Sequence, residues 1–77
     1  MVRAYMLIQT HVGRAGPVAE RLNHVEGVSR AEHVSGPYDV ICLVEAEDID
    51  ALGHVTLRRI QAVEGITRTV TCPVLSL

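Results

Sequence analysis

The 77-residue chain is 48 % hydrophobic, carries a formal net charge of −2, and has no Trp and no Phe, only Tyr5 and Tyr38. A chain this short buries roughly 60 % of its unfolded surface, so it folds around one core, packed with Val, Ile, Leu and Ala. The acidic balance excludes the basic face that a phosphate backbone needs, and no apolar run reaches the roughly 20 residues of a membrane helix or forms a signal-peptide core.

Residues 4 to 10 (AYMLIQT) are the first predicted strand, rich in β-compatible apolar residues. Gly16-Pro17 opens a helix, because proline is tolerated in a first turn. Val18, Leu22 and Val25 follow at helical spacing, and Gly27 stands where a left-handed cap ends a helix. Residues 28 to 34 form a more polar strand, which places it at an edge. A tight turn, Ser35-Gly36-Pro37-Tyr38-Asp39, then introduces the apolar strand VICLVEA, residues 40 to 46. Asp48 is the N-cap of a second helix with Ile49, Leu52, Thr56, Ile60 and Val63 along one stripe, and Gly65 stops it. The closing strand spans residues 67 to 75, where Pro73 fits only an edge or a bulge.

The chain also repeats itself. Shifted by 38 positions, VAERLNHVEGVSRA (18 to 31) falls on TLRRIQAVEGITRT (56 to 69); a shift of 36 lays AYMLIQT over VICLVEA. Two similar strand-helix-strand halves make one domain, since two copies are too few for a solenoid. The order βαββαβ with right-handed crossovers gives a ferredoxin-like α+β sandwich: a four-stranded antiparallel sheet with both helices on one face.

Two helices cover only one face, and the other should alternate in polarity. Here Ala4, Met6 and Ile8 point one way and Tyr5 and Leu7 the other; Val40, Cys42 and Val44 oppose Ile41 and Leu43. Apolar residues on both faces predict a homodimer through the sheets, burying Met6 or Leu7 with Ile41 or Leu43.

Four histidines (His11, His24, His33, His54) and two cysteines show no metal-ligand spacing, and no cofactor motif is present. Cys42 and Cys72 lie within strands, which predicts buried free thiols in a cytoplasmic protein. Glu45, Glu47, Asp48 and Asp50 gather where acidic groups complement a helix dipole. Nothing in the pattern argues for catalysis. Two readings of the 35–39 turn stand side by side. Gly36 permits a positive φ and Asp39 accepts turn amides; or the turn presents amides, the Asp39 carboxylate and the Tyr38 ring to a zwitterion.

VSGPYDVICLVEA (34 to 46) resembles the G-x-x-D turn and following strand of the effector-binding domain in the leucine-responsive regulator/AsnC family. VEGITRTVTCPVL (63 to 75) resembles that domain's closing segment through Gly65, Ile66 and Thr71. The resemblance covers essentially the whole chain. It implies a ferredoxin-like fold, dimers through the sheets, rings of dimers (often octamers), and amino-acid effectors bound between dimers. By that implication Gly36 and Asp39 are ligand-binding residues, Tyr38 lies inside the motif, Thr71 belongs to the closing segment, and His33 and Ser35 are neighbours. Family regulators carry a helix-turn-helix domain ahead of this module. The present chain starts at the first strand and resembles the stand-alone version, expected to bind no DNA directly and to co-assemble with full-length regulators. Pro37 removes one amide from the turn, leaving those of Gly36, Tyr38 and Asp39. Two other classes share the topology: small dimeric α+β-barrel monooxygenases or isomerases, and ACT-like regulatory domains. The barrel enzymes shape a cavity with large aromatic residues, which this core lacks.

Overall fold

Burial alternates strictly along the two central strands, and that alternation builds the sheet. Ala4, Met6 and Ile8 on β1 (Val2–Thr10) and Val40, Cys42 and Val44 on β3 (Val40–Ala46) are essentially inaccessible. In the computed structural model, which describes residues 1–75, β1 and β3 pair antiparallel with Met6 opposite Cys42. β2 (Val28–His33) flanks β3 and β4 (Ile66–Pro73) flanks β1, giving the order β2-β3-β1-β4. All pairings are antiparallel, and Pro73 lies on an edge strand as its missing N–H requires.

Helices α1 (Ala15–Leu22) and α2 (49–61) pack on one face, where Val18, Leu22, Leu52 and Ile60 close the core over β1 and β3. The molecule is a ferredoxin-like α+β fold, as its pattern predicts. Asp48 caps α2 by accepting the Ala51 amide at 2.8 Å. Inside α2 an α-helical first turn (Ile49–Ala51) gives way to a π-helical stretch (Leu52–Thr56) before α-helix resumes (Leu57–Gln61). Relative to α1, α2 has an extra N-terminal turn, and the π-helical stretch begins where that turn joins the repeat-equivalent segment. Ile49, in the first turn, is 61 % exposed, against the expectation that it lies on the buried stripe.

The repeat is visible in the packing. Gly27 and Gly65 occupy equivalent places with φ of +96° and +103°. A Cβ at Gly27 would come within 3.1 Å of Thr56; one at Gly65 would come within 3.0 Å of Val18, the repeat partner of Thr56. Each glycine thus lets the start of an edge strand approach the helix of the other half.

The opposite face of the sheet has no helix. Tyr5 pairs with Leu43 and Cys72, and Leu7 with Ile41 and Val70, so these side chains share one surface. Leu7, Ile41, Leu43 and Val70 are half-buried and Tyr5 is 44 % exposed. Met6 belongs to the helix-covered core, which leaves Leu7, Ile41 and Leu43 as the bare-face residues. Cys72 departs from expectation: it is exposed, because its register opposite Tyr5 puts it on the uncovered face of an edge strand.

Candidate functional site

The turn between β2 and β3 is shaped by Gly36, whose φ of +141° is one that side chains rarely adopt. The Val34 amide donates to the Asp39 carbonyl across the turn at 2.9 Å. The Asp39 amide donates to the Ile8 carbonyl at 2.9 Å, and Gln9 Nε2 donates to the Pro37 carbonyl at 3.1 Å. These bonds fasten the turn to the end of β1.

There β1 shifts register against β4, between Gln9 and Thr10. At the shift the Thr10 amide donates to Asp39 Oδ2 at 2.8 Å, and the Thr10 hydroxyl donates to the same oxygen at 3.3 Å. Asp39 therefore braces the bulge through one oxygen. Its other oxygen, Oδ1, accepts no hydrogen bond among the described residues.

Beside that carboxylate opens a recess of about 390 Å³. Thr10, Asp39 and His33 border it on the sheet side; His11, Gly13 and Gly16 border it where the β1–α1 loop enters α1. The N-cap residue of α1, Arg14, supplies no side-chain bond to the first turn. First-turn amides have no intrahelical acceptor and carry the positive end of the helix dipole. The recess thus lies between Asp39 and the start of α1, with His11 and His33 also at its border. Its volume falls within the range of small-ligand pockets.

Of the residues the sequence singles out, Asp39 and His33 border this recess, and Gly36 shapes the turn that delivers Asp39. Ser35 and Tyr38 lie in the same turn, outside the recess border. Thr71 stands apart: it is on the helix-facing side of β4 opposite Met6, and its hydroxyl donates to Met6 Sδ at 3.1 Å. Sequence reasoning missed Thr10, His11 and Gly13. The available signal was the segment HVGRAG directly after a strand, two glycines around one arginine, which marks a tight re-entry into a helix.

A larger depression, about 710 Å³, lies between the outward faces of α1 and α2 and shares no residue with the recess. Neither cysteine borders either one. Burial pushes the Cys42 thiol up to about 11. No group of three or more His, Cys, Asp or Glu side chains is placed to hold a metal ion among the described residues.

With this geometry in view, the comparisons are specific. The family model of the Lrp/AsnC ligand binding domain matches residues 3–77. The crystal structure of TTHA0845 from Thermus thermophilus superposes with a TM-score of 0.89 at 30 % identity, covering 100 % of this chain and 96 % of that one. E. coli AsnC superposes with a TM-score of 0.87 at 27 % identity over 99 % of this chain, which is 52 % of AsnC. Among curated relatives, homocitrate synthase of Sulfurisphaera tokodaii is 38 % identical over 58 residues, 75 % of this chain. The chain spans about 12 % of that enzyme's length.

Proposed function

Because this chain belongs to the Lrp/AsnC ligand-binding-domain family, we propose that it is a non-enzymatic regulatory module that binds an amino-acid effector in the recess beside Asp39. The observation that carries this reading is that Asp39, with one oxygen free of hydrogen bonds among the described residues, borders the same small recess as Ala15 and Gly16 of the first turn of α1. An amino acid presents an ammonium and a carboxylate on one carbon. The ammonium would meet Asp39 in a charge-assisted hydrogen bond, and the carboxylate would meet helix-start amides. His33 and His11 then border the space left for the side chain.

The bare sheet face supports assembly as a homodimer, with Leu7, Ile41, Leu43 and Val70 covered by the same face of a second copy. The recess lies at the end of the sheet beside the 35–39 turn, outside that face, and remains open for rings of dimers to close around. In this reading the module regulates transcription by joining full-length Lrp/AsnC-type regulators in the cytoplasm; the two free thiols suit a reducing compartment. The homocitrate synthase match covers about 12 % of that enzyme's length, which suits a module that recurs within larger proteins better than a self-contained catalyst.

A thermal-shift screen against the twenty amino acids tests the proposal. A ligand that binds only the native state raises the melting temperature by mass action, by about 2.7 kcal/mol of stability at one hundred times its dissociation constant. One amino acid, or a chemically related few, should shift the transition selectively. Uniform silence across the set would overturn the effector role.

A further inference from the structure

We propose that the groove between α1 and α2 is a second ligand site, selective for small polyanions such as a phosphate ester or a di- or tricarboxylate. It is the larger of the two depressions, at about 710 Å³, and is separate from the recess beside Asp39. Three guanidinium groups line it, Arg14 and Arg21 from α1 and Arg59 from α2, together with His24. Only two carboxylates answer them, Glu26 and Glu64, although the chain as a whole is net negative.

The repeat shows which cations are uncommitted. Arg21 and Arg59 are equivalent positions of the two halves, as are Glu26 and Glu64. Arg59 Nη1 pairs with Glu26 Oε2 at 3.2 Å and reaches the Glu26 carbonyl at 3.4 Å. The equivalent bridge, Arg21 to Glu64, is not made, and neither Arg14 nor Arg21 has an ion-pair partner among the described residues. Arg14 is held over Gly65, where a Cβ would lie 3.3 Å from Arg14 Cβ and 3.5 Å from its Nε. That close approach positions the guanidinium at one end of the groove.

Spacing selects the ligand class. Seven residues of helix separate Arg14 from Arg21, about 10 Å along the axis. A single anionic group engages one of them; a ligand with two or more charged groups reaches both, or one of them and Arg59. Guanidinium forks suit phosphate and carboxylate equally, so both sources share one recognition chemistry. Val25 and Val63 give the groove an apolar wall for the ligand's carbon skeleton.

Amide NMR spectra of the full chain, titrated with pyrophosphate in one arm and citrate in the other at fixed ionic strength, test the site. Saturable shifts should appear at the groove residues of both helices with at least one of these anions, and sodium chloride should produce none. A shift with pyrophosphate alone assigns the phosphate source, and with citrate alone the carboxylate source. The double variant Arg14→Gln/Arg21→Gln, checked for a native circular dichroism spectrum, should bind at least about tenfold more weakly, while Asp39→Asn binds as wild type does. If the double variant does not fold, Arg21→Gln alone serves the same comparison. No saturable shift with either anion, or undiminished binding by the arginine variant, would overturn the proposal.

Discussion

Asp39 uses one of its two oxygens in the fold. Oδ2 accepts the amide and hydroxyl of Thr10 and so fixes the bulge at the end of β1; Oδ1 accepts no hydrogen bond among the described residues. The turn-forming reading of 35–39 is therefore seen in this side chain, and the ligand-binding reading is the proposal that the titration below tests. The Gly36 turn and its carboxylate were legible because glycine and aspartate at that spacing have few other uses. The opposing wall was not, since amides leave no trace in side-chain chemistry, and Gly13 and Gly16 read as ordinary loop residues. Cys42 supports a separate prediction at this scale. Its thiol is raised from an ordinary 9.0 to about 11 by burial, so the fold favours the neutral form. That contribution is intact below pH 9 and is lost as pH rises from 9 to about 11. The chain has seven arginines and no lysine, so no lysine titrates across this window. Alkaline melts should fall steeply there, and Cys42→Ala should melt lower at neutral pH but with a flatter alkaline decline. An unchanged slope in that variant would remove the thiol from the account.

At the scale of elements, the two halves are joined by reciprocal close approaches. Gly65 stands at φ +103° with Val18 Cγ2 only 3.0 Å from where a Cβ would be. Gly65→Ala combines an unfavourable backbone conformation with a packing conflict, and should cost about 1 to 3 kcal/mol, read as a lower denaturant midpoint at unchanged slope. In a Val18→Ala background, which trims the side chain that a Cβ at Gly65 would meet, Gly65→Ala should cost less. An equal cost in both backgrounds would mean that the approach to α1 contributes nothing. The Asp48 cap and the edge proline were readable in the chain, because each follows from a local residue preference. The left-handed caps expected at Gly27 and Gly65 are not formed: α1 ends at Leu22 on Asn23 and α2 at Gln61 on Ala62, both right-handed, and the two glycines instead turn the chain into β2 and β4. The π-helical stretch at Leu52–Thr56 was not readable. The hydrophobic stripe of this segment reads as an ordinary helix, and a single extra residue in a turn leaves that spacing nearly unchanged. The exposure of Cys72 escaped for a related reason: alternation gives two faces but not which one the helices cover at an edge.

For the whole molecule, the uncovered sheet face governs behaviour. Tyr5, Leu7, Ile41, Leu43 and Val70 lie together on one surface, as the register requires. Light scattering should give a mass of at least twice the 8.4 kDa chain at micromolar concentration. Leu43→Glu should lower that mass or unfold the chain, because a desolvated charge without a partner is costly; a folded wild-type monomer would contradict the assembly. The central claim concerns the recess beside Asp39, and calorimetric titration of the twenty amino acids into wild type and Asp39→Asn addresses it directly. Asparagine keeps an oxygen for the Thr10 amide, so the variant should retain its fold while losing the charge an ammonium seeks. Charge-assisted hydrogen bonds contribute about 1.5 to 3 kcal/mol, so the amino acid that binds wild type should bind Asp39→Asn roughly tenfold to hundredfold more weakly. Binding of equal strength in the variant, or heat from none of the twenty with wild type, would contradict the account.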